Sequence, residues 1–184
     1  MSAEFWAGLV ARLWQAPKAP SAPPAPAPAS PVLGCSAASW AAYEALLKLR
    51  EGWRDVVYLD TLRKPTVGIG HLVRPEDNLL VGQKVTPAQI SAFFAHDGAD
   101  AMRHAVSQAD YAGITDQAFL PYLASVCFQL GDNWVAKFPN TWKLICQGQY
   151  TRAAVALAET AWFEQTPTRV KDFHDALLRL KPKS

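Results

Sequence analysis

The chain reads as an α+β fold, a small antiparallel sheet beside a larger helical body, on three observations. Asp55 to Asp60 (DVVYLD) and Thr66 to Gly70 (TVGIG) are two short strand-like runs separated by a turn at Thr61 to Pro65. Thr86-Pro87-Ala88-Gln89 is a capping-box pattern with proline at the first helical position. Most of the remaining chain carries apolar residues at helical spacing.

Taken in order, Ser36 or Ser39 can cap a helix through Trp40, Tyr43, Leu46, Leu47 and Arg50 toward Glu51, with Gly52 as its stop. The two strands follow. The helix opened at Thr86 continues through Ile90, Phe93 and Phe94. Thr115 is expected to cap a helix through Phe119, Leu123, Val126 and Leu130, stopped by Gly131, and Pro121 is expected to kink or break it. Tyr150 to Glu159 reads as helical, and Thr166-Pro167 opens the last helix, through Val170, Phe173, Leu177 and Leu178. No internal repeat is visible.

Half of the 184 residues are hydrophobic and 18% are charged, which excludes wholesale disorder. A net charge of +2 does not argue for a nucleic-acid partner. No apolar run is long enough to span a bilayer as a helix. Cys35, Cys127 and Cys146 are odd in number and lack metal spacing, against both a disulfide scaffold and a zinc site; Cys127 and Cys146 are expected to pack as small apolar residues. His96, His104 and His174 have no acidic partners at metal-binding spacing, so no metal and no cofactor is expected.

Composition divides the chain into a leader (1–16), a spacer (17–34) and one domain (35–184). Half of the 14 prolines fall between Pro17 and Pro31, among alanines, so this stretch cannot build a core and should extend for about 45 Å. In the leader, Phe5, Trp6, Leu9, Val10, Leu13 and Trp14 share one helical face, suited to a carrier protein or a membrane surface. Glu4 and Arg12 argue against a cleavable secretory signal, so the protein is expected to be made in the cytoplasm.

From Glu51 the sequence runs EGWRDVVYLDTLRKPTVGIGH. A glutamate at a helix end and an aspartate on a hairpin suit glycoside hydrolysis, which wants two carboxyl groups in different environments. One must stay protonated to donate to the leaving oxygen, and apolar or aromatic neighbours such as Trp53 and Tyr58 favour that state. The other must stay ionised to manage a water or stabilise the oxocarbenium-like transition state. On spacing alone, a pair of solvated surface carboxylates is the commoner outcome.

Residue identity shifts the balance. Glu51-Gly52, Tyr58, Asp60 and Thr66-Val67-Gly68-Ile69-Gly70-His71 resemble the phage-type lysozymes, glycoside hydrolase family 24. The resemblance continues, in order, through Phe128-Gln129-Leu130-Gly131, Phe138-Pro139-Asn140-Thr141 and Trp162-Phe163-Glu164-Gln165-Thr166-Pro167-Thr168-Arg169. It implies a lysozyme-like domain whose β-lobe and helical lobe, joined by a long helix, enclose a cleft. It also implies hydrolysis of the β-1,4 bond between N-acetylmuramic acid and N-acetylglucosamine in peptidoglycan. In that frame Glu51 is the general acid, Asp60 holds or activates the water and Thr66 orients it, in an inverting reaction. Arg169 should point toward Glu51. His71 is expected to be a hydrogen-bonded brace, Gln129 to bridge the lobes through the indole of Trp162, and Phe128 and Leu130 to line the cleft or pack in the core.

The sequence also departs from the family. The usual glycine is missing from the turn Thr61-Leu62-Arg63-Lys64-Pro65, and Pro65 removes a ladder donor just before Thr66, so a reshaped hairpin is expected. The stretch from Leu72 to Lys84 looks short for the family. The enzyme would act on the cell wall or in the periplasm, reached after holin release or by dedicated secretion; a secreted antibacterial effector would need an immunity protein. The alternative from another class is a non-catalytic peptidoglycan-binding or structural module of a phage tail or secretion apparatus.

Overall fold

The structure, a computed structural model, describes residues 30–181; the amphipathic leader and the spacer up to residue 29 lie outside the described residues. Helix α1 (Ala37–Glu51) is capped by Ser36, whose side chain accepts from the Ser39 N–H, and Gly52 ends it. Gly52 has a φ of 72°, a left-handed conformation that turns the chain directly from α1 into the sheet. Trp40, Tyr43 and Leu47 are the buried apolar stripe of α1. Ahead of the helix Val32 is buried as well, so packing begins inside the stretch assigned to the spacer.

Three antiparallel strands follow in meander order: β1 (Arg54–Leu59), β2 (Pro65–Gly68) and β3 (His71–Leu72). Tyr58 faces Thr66 and Leu59 faces Pro65 across β1 and β2, with an irregularity between Arg54 and Tyr58. β3, two residues long, was not expected from the sequence; it pairs Val67 with His71 and Thr66 with Leu72. The outer edge of β1 is covered by the 82–85 segment, through Val57 N–H to Gln83 O (2.9 Å) and Val85 N–H to Asp55 O (2.7 Å).

The turn that lacks a glycine closes by another route. Arg63 takes a φ of 60°, and the Asp60 carboxylate accepts the N–H groups of Leu62 and Lys64, each at 2.8 Å. Pro65 opens β2, and its carbonyl accepts from Val73 at 2.9 Å, a pairing that stays one-sided because proline has no N–H to return.

The capping box at Thr86 forms, with reciprocal bonds to Gln89, and opens the 25-residue helix α2 (Pro87–Tyr111). The sheet leans on this helix through β2 and β3. Gly68, with a φ of 63°, allows the close approach: a Cβ there would lie 3.2 Å from Ile90 Cγ2.

Helix α3 (Leu120–Leu130) corrects two expectations. Thr115 does not cap it, since Phe119 occupies the cap position, and Pro121 sits in the first turn, where no intrahelical N–H bond is lost, so it does not kink the helix. α3 is the hub of the helical body, packing on α1, α2 and the last helix. Around it lie α4 (Trp134–Lys137), α5 (Pro139–Cys146), α6 (Tyr150–Ala158), α7 (Ala161–Gln165) and α8 (Pro167–Arg179). Trp134, fully buried, makes edge-on ring contacts with Trp142 and Phe173 and donates its indole N–H to Gln108 at 2.8 Å. Cys127 is buried on α3, and burial pushes its thiol up to about 12.

Candidate active site

Glu51 is the last residue of α1, delivered to the lobe boundary by the helix that Gly52 stops. Its carboxylate accepts from Arg169 Nη2 at 2.5 Å. Arg169 lies in the first turn of α8 and is only 8% exposed, and its second terminal nitrogen, Nη1, is buried without a protein acceptor. Next to this pair, Arg50 holds Asp172 with two bonds, Nε to Oδ2 at 2.5 Å and Nη2 to Oδ1 at 2.7 Å. Bidentate geometry of this kind fixes orientation as well as distance. It locks α1 to α8 one residue before Glu51 and one turn beyond Arg169, and the Asp172 bond keeps the Arg50 guanidinium more firmly protonated than usual.

Two concave volumes meet at Glu51. The larger, about 620 Å³, has Trp53, Arg54 and Tyr58 on its β-lobe side, Phe128 and Gln129 on its α3 side, and Gly68 to Gly70 between them. The smaller, about 430 Å³, runs past Arg50, Gln165, Pro167 and Arg169. Glu51 and Gln129 line both, so the two volumes adjoin at this pair. A separate apolar groove, lined by Ala158, Phe163, Val170 and His174, contains none of the expected site residues.

Gln129 meets the Trp162 indole as expected, but its bonds stay inside the helical body and do not bridge the two lobes. The Trp162 indole donates to its Oε1 at 3.1 Å, and its Nε2 reaches the Thr166 hydroxyl at 3.3 Å, tying α3 to α7 and the cap of α8. Phe128 lines the larger volume, whereas Leu130 packs against the core and lines neither. His71 is buried at the lobe junction: Nδ1 lies 2.6 Å from Asp97, Nε2 3.0 Å from Asp77, and the ring stacks on Phe93 at 4.2 Å. That geometry is a brace between β3 and α2. For Asp77, burial alone would raise the carboxyl, but bonds from the Arg74 backbone N–H and from His71 outweigh it and hold the group below its ordinary value.

Asp60 and Thr66 are on the hairpin beside the cleft. Neither lines the two volumes, although Thr66 is paired in register with Tyr58, which does. The Asp60 carboxylate has its Oδ1 occupied by the turn, leaving Oδ2 as its uncommitted acceptor. Thr66 is 5% exposed and donates its hydroxyl to Lys64 O at 3.1 Å, which leaves that oxygen able to accept. Among the described residues, no group of three His, Cys, Asp or Glu side chains could hold a metal ion. No described helix is long and apolar enough to cross a membrane.

Sequence reasoning did not find the Arg50–Asp172 clamp, nor Asp77 and Asp97 as partners of His71. The only available signal was adjacency, since Arg50 precedes Glu51 and Asp172 follows Arg169 by three positions.

An acidic side chain held by a buried arginine thus lies at the lobe boundary, on the lining of two adjoining volumes. In comparison with known proteins, residues 48–172 match the phage lysozyme family. The chain belongs to that family, and its domain is by that membership a glycoside hydrolase. It is 32% identical over 123 residues to the peptidoglycan hydrolase gp36 of Pseudomonas phage phiKMV, a match covering 67% of this chain and 14% of that protein. It is 28% identical over 145 residues to the pre-baseplate central spike protein Gp5 of Enterobacteria phage T4, covering 67% and 25%. The probable T4-type lysozyme 2 of Dictyostelium discoideum is 27% identical over 146 residues, covering 67% and 86%. The chain thus spans a small part of the two phage relatives and most of the third.

Proposed function

We propose that the protein is a muramidase that hydrolyses the β-1,4 bond between N-acetylmuramic acid and N-acetylglucosamine in peptidoglycan. The observation that carries this reading is Glu51 held by Arg169 where the two parts of the cleft meet. A glycan strand laid along the cleft crosses that carboxyl, which donates its proton to the leaving oxygen as general acid. Asp60, its Oδ2 free to accept, manages the attacking water, and the Thr66 hydroxyl, already donating to Lys64, accepts from that water and orients it. Gln129 and Phe128 supply the opposite wall, and His71 holds the hairpin in place.

Digestion of purified peptidoglycan with wild type and Glu51→Gln, followed by reducing-end and mass analysis, tests the reading. Muropeptides ending in reducing N-acetylmuramic acid, made by wild type alone, are expected. Equal products from Glu51→Gln refute Glu51 as the acid. Thr66→Ala is expected to lower turnover with little change in stability, and unchanged turnover removes Thr66 from the reaction.

One relative favours a second reading. Gp5 is named as a central spike protein, so a domain of this kind also occurs within a structural protein. A non-catalytic peptidoglycan-binding or structural module of a phage tail or secretion apparatus would bind peptidoglycan and release no reducing ends. For delivery we propose that the Phe5, Trp6, Leu9, Leu13 and Trp14 face docks on a carrier protein or a membrane surface. The chain then reaches peptidoglycan by holin release or dedicated secretion, the latter requiring an immunity protein in the producing cell. Deleting Met1 to Pro31 should change localisation in cells while leaving digestion of isolated peptidoglycan intact; unchanged localisation refutes the docking role.

A further inference from the structure

Trp53 is 50% exposed, whereas Trp40, Trp134 and Trp162 are each at most 3% exposed. Trp142, the remaining described tryptophan, is half-buried against Trp134. A large aromatic surface left in water is an expense that packing normally removes, and a soluble domain that keeps one in a concave site is presenting it to something. Trp53 is also unengaged in other ways: among the described residues its ring joins no aromatic pair and its Nε1–H reaches no protein acceptor. Its position is fixed by the backbone, because Gly52 turns the chain by its left-handed φ and sets the indole two residues from Glu51, in the same volume.

The neighbouring aromatic on this wall is already occupied. The Arg54 guanidinium lies 4.3 Å from the centroid of the Tyr58 ring and covers one of its faces. Trp53 is therefore the open aromatic surface of the β-lobe wall, opposite Phe128.

Gluco-configured pyranose rings in the chair form carry their substituents equatorially and turn axial C–H bonds toward both faces. Those weakly positive hydrogens suit the negative face of an indole. An N-acetyl group adds a carbonyl oxygen at the ring edge, where an unengaged indole N–H can donate. Building on the peptidoglycan reading above, we propose that Trp53 is the stacking platform for one N-acetylhexosamine ring of the strand next to the cleaved bond, and so sets substrate affinity and ring selectivity.

The test has two arms. In the first, wild type, Trp53→Ala and Trp53→Phe are compared on soluble peptidoglycan fragments. Trp53→Ala should lose about tenfold in kcat/KM, mostly through KM, and Trp53→Phe should recover most of it. Because the residue is half exposed, both variants should keep the wild-type Tm within about 2 °C. In the second arm, 15N-labelled wild type is titrated with chitotetraose, with the Trp53 indole resonance assigned from Trp53→Phe. That resonance should shift and saturate while that of Trp134, bonded to Gln108 in the core, stays in place. Normal wild-type digestion with Trp53→Ala within twofold of it, or a Trp53 resonance that does not move, overturns the proposal. If wild type itself releases no reducing ends, the muramidase reading fails instead, and the titration alone decides whether Trp53 is a saccharide platform.

Discussion

Removing the imidazole of His71 should unfasten the β-lobe from α2 at its most highly bonded point. The ring is 4% exposed and contacts two carboxylates, at 2.6 and 3.0 Å, while stacking on Phe93 at 4.2 Å. A hydrogen bond to a charged group contributes about 1.5–3 kcal/mol and a ring pair about 0.5–1.5 kcal/mol. Against this, the carboxylates are reachable by water once the ring is gone, since their side chains are 14% (Asp77) and 25% (Asp97) exposed, and Asp97 keeps bonds to Arg74 and His96. The net loss for His71→Ala should therefore be about 2–4 kcal/mol, below the cost of orphaning a fully buried pair. For a domain of roughly 150 residues this lowers Tm by about 4–16 °C, measurable by calorimetry at pH 7. A Tm within about 2 °C of wild type would refute the brace. The Asp77 part also has a defined pH window. Its folded pKa lies below the ordinary 3.8, so its contribution is present above that value and disappears as pH falls through the lowered one. Since His71 supplies part of that lowering, the Tm gap between wild type and His71→Ala should narrow in strong acid.

Two further perturbations test neighbouring contacts. Asp172→Asn breaks the clamp on Arg50 and, being partly exposed at 19%, should cost about 1–3 kcal/mol by thermal unfolding; it should also lower peptidoglycan turnover by loosening α8 beneath Arg169, and unaltered turnover would show that Arg169 is held without the clamp. Cys127, buried with its thiol raised to about 12, should resist a thiol reagent at pH 8 in the native state and react once unfolded in denaturant; mass spectrometry of native labelled protein finding full modification at Cys127 would contradict its burial.

What could be read from the sequence was whatever local chemistry decides. Ser36 and Gly52 bound α1, and Thr86 with Gln89 opens α2, because a cap needs only residues within one turn. Thr115 misled for the same reason: a threonine ahead of an apolar run has the right chemistry, but Pro121 in the first turn determined where α3 begins. β3, α4 and α7 span two, four and five residues, too few for a period to register. In the site, the identities around Glu51, Gln129 and Arg169 pointed to side chains that the fold does bring together, whereas the contacts that stiffen this region did not show. Arg50 and Asp172 are 122 positions apart, and only the packing of α1 against the helical body brings them together.

Helix α2 has a mechanical consequence. At 25 residues it is a rod about 37 Å long, with the sheet resting on it and α3 packed along it. Pivoting such a rod by about 5° about its middle carries its end roughly 1.6 Å, more than half a hydrogen-bond length. The sheet that carries the Trp53 wall and the helix that carries Phe128 are thus both seated on one rod, and His71 is the pin that fastens the β-lobe to it.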